Sequence, residues 1–377
     1  MRILFITPWY PDESIKFHGI FIREQAANIA AGHQVALVSV KVNYASFGLH
    51  KYQLTTSQYR GVSEFRLVIN RSLPFYNTFH FLFVANRVLL QIAKEFKPDI
   101  IHGNIGFPGG ILSFWLATKL KIPFVITEHT LIHNNFRSFF HKWTTLLSFR
   151  KASAMITVST FAASLIRKYV DREVLVVLNT IDTNRFCIAP FQEGPIHIGF
   201  LGTLNSESHI KGLDLLLQAI SKVQKDYVLH VVGEGKMIPH YQKLAEELGI
   251  SNRCVWLGYV HDEDIPAFMN GLNFFVNCSR FESFGIAIIE AMASGVPVVV
   301  TNNGGPADTV TPLTGILLPD RDIDRLSGAI TRMCDTFQNY HREEIRAHVI
   351  HHFSYPLFFQ KMTGIYLDTL ENFKQSS

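Results

Sequence analysis

Short apolar runs of strand length alternate with stretches of helical apolar spacing along this 377-residue chain, and the alternation runs through twice. The first pass takes residues 3–7, 20–31, 34–40, 78–96, 100–102, 109–120, 124–127 and 154–158. The second takes residues 196–201, 213–222, 228–232, 237–248, 255–257, 264–269, 273–278, 284–294 and 298–301. Uninterrupted apolar runs suit strands covered on both faces, and the helices between them are the crossovers that parallel neighbours require. The rhythm predicts βαβ units and two similar parallel-sheet α/β modules joined near residues 183–195, in keeping with about two domains for this length. In open sheets of this kind ligands bind outside the carboxyl ends of the strands, so two modules facing each other would form a cleft there.

An apolar content of 47% against 18% charged residues excludes a disordered chain. Cys187, Cys254, Cys278 and Cys334 show no paired spacing, so neither a zinc site nor a disulfide framework is expected, and a reducing, cytoplasmic setting is. The chain enters a strand at residue 2 without the separate apolar stretch of a signal peptide, and it contains no charge-free run of spanning length, so neither secretion by that route nor an integral membrane protein is expected. The net charge of +4 conceals an asymmetry: residues 1–185 hold 21 Lys+Arg against 10 Asp+Glu, and residues 186–377 hold 14 against 21. Basic and aromatic residues are densest at 136–151. As a helix this segment has two readings, one lying on an anionic bilayer surface and one packed in the core with a solvated basic face.

Polar residues gather in the turns at the predicted strand ends. After the run 273–278, Glu282 falls in a loop and Glu290 two turns into the helix that follows. The free N–H groups of residues 283–286 between them suit a phosphate. Small residues Ala291, Ala293 and Gly295 suit close packing of that helix. Gly19 precedes the first helix, as a simple turn or as a close backbone approach to phosphate. His102 and His129 follow successive strands, each either a satisfied structural histidine or part of a site. Gly202 ends a strand, and Lys211-Gly212 opens the next helix where a phosphate counter-charge fits. Gly233-Glu-Gly235 lacks the third glycine of a dinucleotide fingerprint.

Taken in order, Gly19, His129 within Ile126-Thr-Glu-His-Thr130, Gly202 through Lys211-Gly212, Val232-Gly-Glu-Gly235, Leu257-Gly-Tyr-Val260, the Glu282 to Glu290 block and Gly304-Gly305 resemble the large retaining glycosyltransferase family 4, also called glycosyl transferases group 1. The resemblance covers essentially the whole chain and is to bacterial surface-polysaccharide enzymes. It implies the GT-B fold: a Rossmann-like acceptor domain over 1–185, a Rossmann-like nucleotide-sugar domain over 190–355, and a last helix at 356–377 crossing back to the first domain. It further implies that Glu290 holds ribose hydroxyls and that Glu282 contacts the donor sugar. Lys211, Gly19 and the backbone of Ser283, Phe284, Gly285 and Ile286 hold the diphosphate. Gly202, Thr203 and Gly233 line the donor site, the main chain near Val260 meets the base, and His129 contacts the sugar at the reacting centre. His102 and Asn104 fall on the acceptor side.

By that resemblance the donor is a UDP- or GDP-linked hexose or N-acetylhexosamine and the acceptor a saccharide or lipid-linked saccharide. Transfer retains the anomeric configuration, and no metal, cofactor or nucleic acid takes part. Apart from the resemblance, the cysteine usage places the protein in the cytoplasm, and the first reading of residues 136–151 places it peripherally at the inner face of the membrane. Two departures stand out. Thr203 replaces the family's frequent arginine, which shifts charge neutralisation to Lys211 or His209, and Asp308 replaces the acid of Gly-Gly-x-x-Glu. Two other functions fit parts of the pattern: a catalytically impaired nucleotide-sugar-binding module, suggested by Thr203, and a nucleotide-dependent oxidoreductase, suggested by Gly233-x-Gly235.

Overall fold

The computed structural model describes residues 1–11, 18–48, 51–72, 77–136, 138–191, 194–205 and 210–376. The chain divides into two compact units, Met1–Leu178 with Phe358–Ser377, and Asn179–Leu357.

Unit 1 opens with β1 (Arg2–Thr7), α1 (Ile20–Ala30), β2 (Gln34–Phe47), β3 (Tyr52–Tyr59) and β4 (Val62–Arg71). It continues with α2 (Asn77–Phe96), β5 (Ile100–Asn104), α3 (Ile111–Leu120), β6 (Phe124–Glu128) and α4 (Phe139–Lys151). It closes with β7 (Ala154–Thr157), α5 (Thr160–Arg167) and β8 (Leu175–Val176). The eight strands lie in the order β3-β4-β2-β1-β5-β6-β7-β8 and pair in parallel, except that β3 runs antiparallel to β4. Strand side chains alternate between faces, which divides β1 between two cores. Leu4 and Ile6 pack with Val88 of α2, Leu112 of α3 and Phe149 of α4, while Ile3 and Phe5 pack with Ile22 of α1 on the other face.

Unit 2 contains β9 (Ile196–Leu201), α6 (Leu213–Ile220), β10 (Tyr227–Val232), α7 (Ile238–Glu247), β11 (Cys254–Gly258) and α8 (Ile265–Asn270). It goes on with β12 (Phe274–Asn277), α9 (Ile286–Ala293), β13 (Val298–Thr301), β14 (Gly315–Leu318), α10 (Ile323–Thr336) and α11 (Arg342–Phe353). Its six strands are all parallel, in the order β11-β10-β9-β12-β13-β14. The last helix, α12 (Tyr355–Ser376), has its residues from Phe358 onward in unit 1, where Phe358, Met362 and Tyr366 complete the core around Ile3 and Phe5. The expected architecture of two parallel-sheet α/β domains is therefore present.

The sequence reading ends its third element at residue 40 and places nothing before 78, whereas β2 runs on to Phe47 and is followed by β3 and β4. Every side chain of β3 from Tyr52 to Gln58 is exposed, so no apolar alternation marks it. The helix expected from residue 109 starts at Ile111, after a π turn over Gly106–Gly110.

Candidate functional site

In each sheet the strand order reverses once, and a crevice opens where the connections leave in opposite directions. In unit 2 that point lies between β9 and β12, and in unit 1 between β1 and β5. The connections leaving these four strands carry most of the residues singled out in the sequence.

In unit 2 the β12–α9 loop is pinned from two sides. Glu282 forms a parallel bridge with Gly304, and its carbonyl accepts from the Gly305 amide at 2.9 Å. A Cβ on Gly305 would lie 2.2 Å from the Ser283 carbonyl oxygen, so the two loops meet backbone to backbone. Phe284 is buried, with its ring 5.9 Å from that of Phe353, and this fixes the loop's floor. Gly285 at φ 98° is the N-cap of α9, a left-handed position suited to glycine, and leaves the first amides of the helix without a side-chain cap. Those amides and the helix dipole make a seat for an anion.

The β9–α6 connection approaches the same loop. Lys211 Nζ donates to Glu282 Oε2 at 2.8 Å, and the Ser279 hydroxyl reaches the same oxygen at 3.4 Å. A Cβ on Gly212 would lie 2.2 Å from the Cys278 carbonyl oxygen, so glycine lets this turn close against the end of β12. Gly202 and Gly233 end adjacent strands in contact, a Cβ on Gly233 lying 1.9 Å from the Gly202 carbonyl oxygen. Thr203 and Val260 are partly exposed near these strand ends. His209 lies outside the described residues.

Glu290 is partly exposed on α9, and no described residue donates a hydrogen bond to its carboxylate. Its pKa is pushed up to about 7, first by burial and then by the Asp262 carboxylate, with the Arg185 guanidinium acting in the opposite sense. Arg185 and Asp262 pair at 2.7 Å, a partnership across 77 residues of sequence that the reading above did not find. A carboxylate held near neutrality without donors is suited to pairs of hydroxyl groups.

In unit 1 Gly19 caps α1 at φ 78°. A Cβ there would lie 2.5 Å from the Trp9 carbonyl carbon and 2.8 Å from the Tyr10 amide nitrogen, so α1 starts against the backbone that leaves β1. Gly19→Ala is expected to lower stability by about 2 kcal/mol, combining left-handed strain with the clash, and to shift the urea midpoint without changing the slope.

His129 is buried beyond β6, and its Nε2 lies 3.0 Å from Asn104 Oδ1. The Asn104 amide is oriented by donation from Nδ2 to the His102 carbonyl at 3.4 Å, so Nε2 carries the proton and Nδ1 is left as a buried acceptor without a partner. Burial lowers the His129 pKa to about 3, which keeps the ring neutral. His102 differs: Nδ1 lies 2.7 Å from the Tyr366 hydroxyl and Nε2 2.8 Å from Thr127 Oγ1, so neither nitrogen is left for a ligand. Of the two histidines only His129 offers a ring atom. His102 is the satisfied histidine, and Asn104 serves it and His129 together.

Glu128, not singled out in the sequence, is fully buried beside His129. It accepts from the Gly106 amide at 2.8 Å, the Thr130 amide at 2.8 Å, the Thr130 hydroxyl at 2.7 Å and Asn135 Nδ2 at 2.9 Å. Burial raises its pKa and these four donors oppose that shift, so the side chain works as a brace for the turns on either side of His129. Its position directly before His129 was the available signal.

Residues 183–346 match the family model described as glycosyl transferases group 1, and residues 21–185 the model described as Glycosyltransferase Family 4. The chain is 28% identical to 2-deoxystreptamine glucosyltransferase of Streptomyces kanamyceticus over 65% of this chain and 70% of that protein. It is 30% identical to the lipopolysaccharide core biosynthesis mannosyltransferase LpsB of Rhizobium meliloti over 60% of this chain and 66% of that one. Among solved structures, Anabaena HepE in complex with UDP superposes with a TM-score of 0.77 at 18% identity, covering 98% of this chain and 100% of that chain.

Proposed function

Because this chain belongs to the group 1 and family 4 glycosyltransferases, we propose that it moves a hexosyl or N-acetylhexosaminyl group from a nucleoside diphosphate to a saccharide or lipid-linked saccharide, with retention at the anomeric carbon, in cell-surface polysaccharide synthesis. The observation that carries the reading is the arrangement at the unit 2 switch point. A carboxylate to which no described residue donates, Glu290, follows an uncapped helix start whose loop bears the Lys211–Glu282 pair. Ribose hydroxyls donate to Glu290, while the amides of residues 283–286 and the Lys211 ammonium receive the diphosphate. The UDP bound by HepE favours a uridine donor, with GDP the alternative. The mannosyl and glucosyl groups in the relatives' names favour a hexose.

In the reaction the bond between the anomeric carbon and the β-phosphate oxygen breaks, and the nucleoside diphosphate departs with the electron pair. The acceptor oxygen bonds that carbon on the face the leaving group vacates and passes its proton to the departing β-phosphate oxygen. Charge grows on the β-phosphate as the bond breaks, and Lys211 with the α9 dipole stabilises it where it develops. Neutral His129 accepts a hydrogen bond from a sugar hydroxyl at Nδ1, held in that tautomer by Asn104. Glu282 orients Lys211 and meets the sugar.

Calorimetric titration with UDP, GDP, ADP and NAD tests this directly. One nucleoside diphosphate is expected to bind, with affinity reduced in Glu290→Ala, and hydrolysis or transfer of the matching nucleotide-sugar is expected to release it. Binding of NAD alone would overturn the reading, and binding with no turnover on any acceptor would leave a nucleotide-sugar-binding module.

A further inference from the structure

Lys211 is fastened at its backbone as well as at its ammonium. Gly212, the N-cap of α6, stands at φ 74° without a side-chain cap, and its carbonyl accepts from the Leu216 amide at 3.0 Å. The same carbonyl accepts from the thiol of Cys278 at 3.0 Å. Cys278 lies fully buried just past β12, and burial pushes its thiol up to about 12, so the S–H donor persists at physiological pH. On the other side of Lys211, the Ile210 carbonyl accepts from the Arg280 amide. The two carbonyls flanking the lysine are thus tied to the strand end that leads into the Glu282 loop.

Arg321 locks that strand end from a different connection, the one that joins β14 to α10. Its Nε donates to the Cys278 carbonyl at 3.1 Å. Its Nη2 would lie 3.1 Å from a Cβ placed on Gly212, so the guanidinium also covers the glycine of the turn. The acids on either side of it are engaged elsewhere. Asp320 pairs with Arg325 at 2.8 Å, and Asp322 accepts from the Arg325 amide at 2.8 Å as the N-cap of α10. The Asp214 carboxylate on α6 attracts Arg321 without closing an ion pair. A half-buried guanidinium that rests on a backbone carbonyl rather than on an acid fixes geometry more than it neutralises charge.

We propose that Arg321, acting through Cys278, is a positioning residue for Lys211 in the transferase reaction proposed above, on which this role rests. The Cys278 carbonyl receives Arg321, the Cys278 thiol holds the Gly212 carbonyl, and together they set where the lysine leaves the backbone. Glu282 sets where the ammonium points. A lysine ammonium ends a flexible four-carbon stem, so its place beside a developing charge depends on both ends being fixed. A misplacement of about 1 Å in such a group lowers rate by about a hundredfold. Thr203 brings no charge beside Gly202, which makes the placement of Lys211 matter more.

Steady-state rates, UDP calorimetry and amide hydrogen exchange on the full chain test the proposal. Arg321→Gln is expected to lower kcat about tenfold while UDP affinity stays within about twofold. Arg321→Lys keeps a donor for the Cys278 carbonyl and should recover part of the loss. Cys278→Ala is expected to lower kcat severalfold, and Cys278→Ser, which keeps a donor for the Gly212 carbonyl, to stay near wild type. Exchange at the Leu216 and Arg280 amides should quicken about tenfold in Arg321→Gln, with the amides of unit 1 unchanged. In the Lys211→Ala background Arg321→Gln should lose less than it does alone, a coupling that a role in stability only would not produce. Wild-type kcat in both Arg321→Gln and Cys278→Ala would overturn the proposal. So would a loss carried by UDP affinity, or the full loss repeated in the Lys211→Ala background. If wild type transfers from no nucleotide-sugar, the transferase reading falls and exchange alone decides: unchanged Leu216 and Arg280 amides overturn the brace, and faster ones retain it.

Discussion

Glu290→Gln is expected to raise the stability of the ligand-free protein while weakening its affinity for nucleotide. The Glu290 carboxyl titrates near 7 in the folded chain, against about 4.3 for an unperturbed glutamate. Between those values the folded chain keeps a proton that the unfolded chain has released. Stability is therefore fully present below the unfolded pKa and lost as pH rises through the folded one. Glutamine carries no such penalty, so the variant should gain about 2 kcal/mol at pH 8, after allowance for the partial exposure of the site, and little near pH 4. Nucleotide binding runs the other way. An ionised carboxylate accepting ribose hydroxyls contributes about 1.5–3 kcal/mol, so UDP affinity should fall roughly tenfold to a hundredfold. Binding also selects the ionised form, so the advantage of wild type over the variant should widen from pH 6 to pH 8. Thermal melts at both pH values, paired with calorimetry, read both effects. Unchanged affinity would remove Glu290 from the nucleotide site.

What the sequence made legible follows from which constraints are local. The Glu282 to Glu290 block could be placed because a strand, a glycine at a left-handed cap and a helix are set by neighbouring residues, and Gly285 and α9 stand where the pattern puts them. The Lys211–Glu282 pair spans 71 residues, yet each partner was marked by its own strand end. Arg185 and Asp262 were not legible, since nothing near either residue announces a partner 77 positions away. His102 shows the limit from the other side. Its strand-end position resembles that of His129, and only the arrival of Tyr366, 264 residues later, decides that its nitrogens are satisfied. The edge strand β3 was missed because a strand without a buried face leaves no apolar alternation.

Lys211→Ala should cut turnover by about a hundredfold to a thousandfold while changing the apparent affinity for the donor far less. The asymmetry follows from where the charge lies. On the proposed reading the diphosphate already carries its charge in the ground state, and the amides of the α9 N-terminus share in holding it. The further charge that develops on the β-phosphate as the sugar leaves would then have Lys211 as its mobile counter-ion. In the ligand-free protein the ammonium rests on Glu282 at 2.8 Å, so Glu282 keeps the long side chain extended toward the loop before donor arrives. That contact makes the two residues one device. Glu282→Gln should lower turnover less than Lys211→Ala, and the double variant should lose less than the product of the two single losses, because the orienting part of the Glu282 role has nothing left to orient. Thr203 sharpens the expectation: where the related pattern carries an arginine beside Gly202, a threonine brings no charge to the phosphates, and the burden falls on the lysine. Restoring a cation by Thr203→Arg in the Lys211→Ala background should therefore recover part of the lost turnover. Wild-type rates in Lys211→Ala, or losses that multiply in the double variant, would sink the assignment and return Lys211 to a surface ion pair.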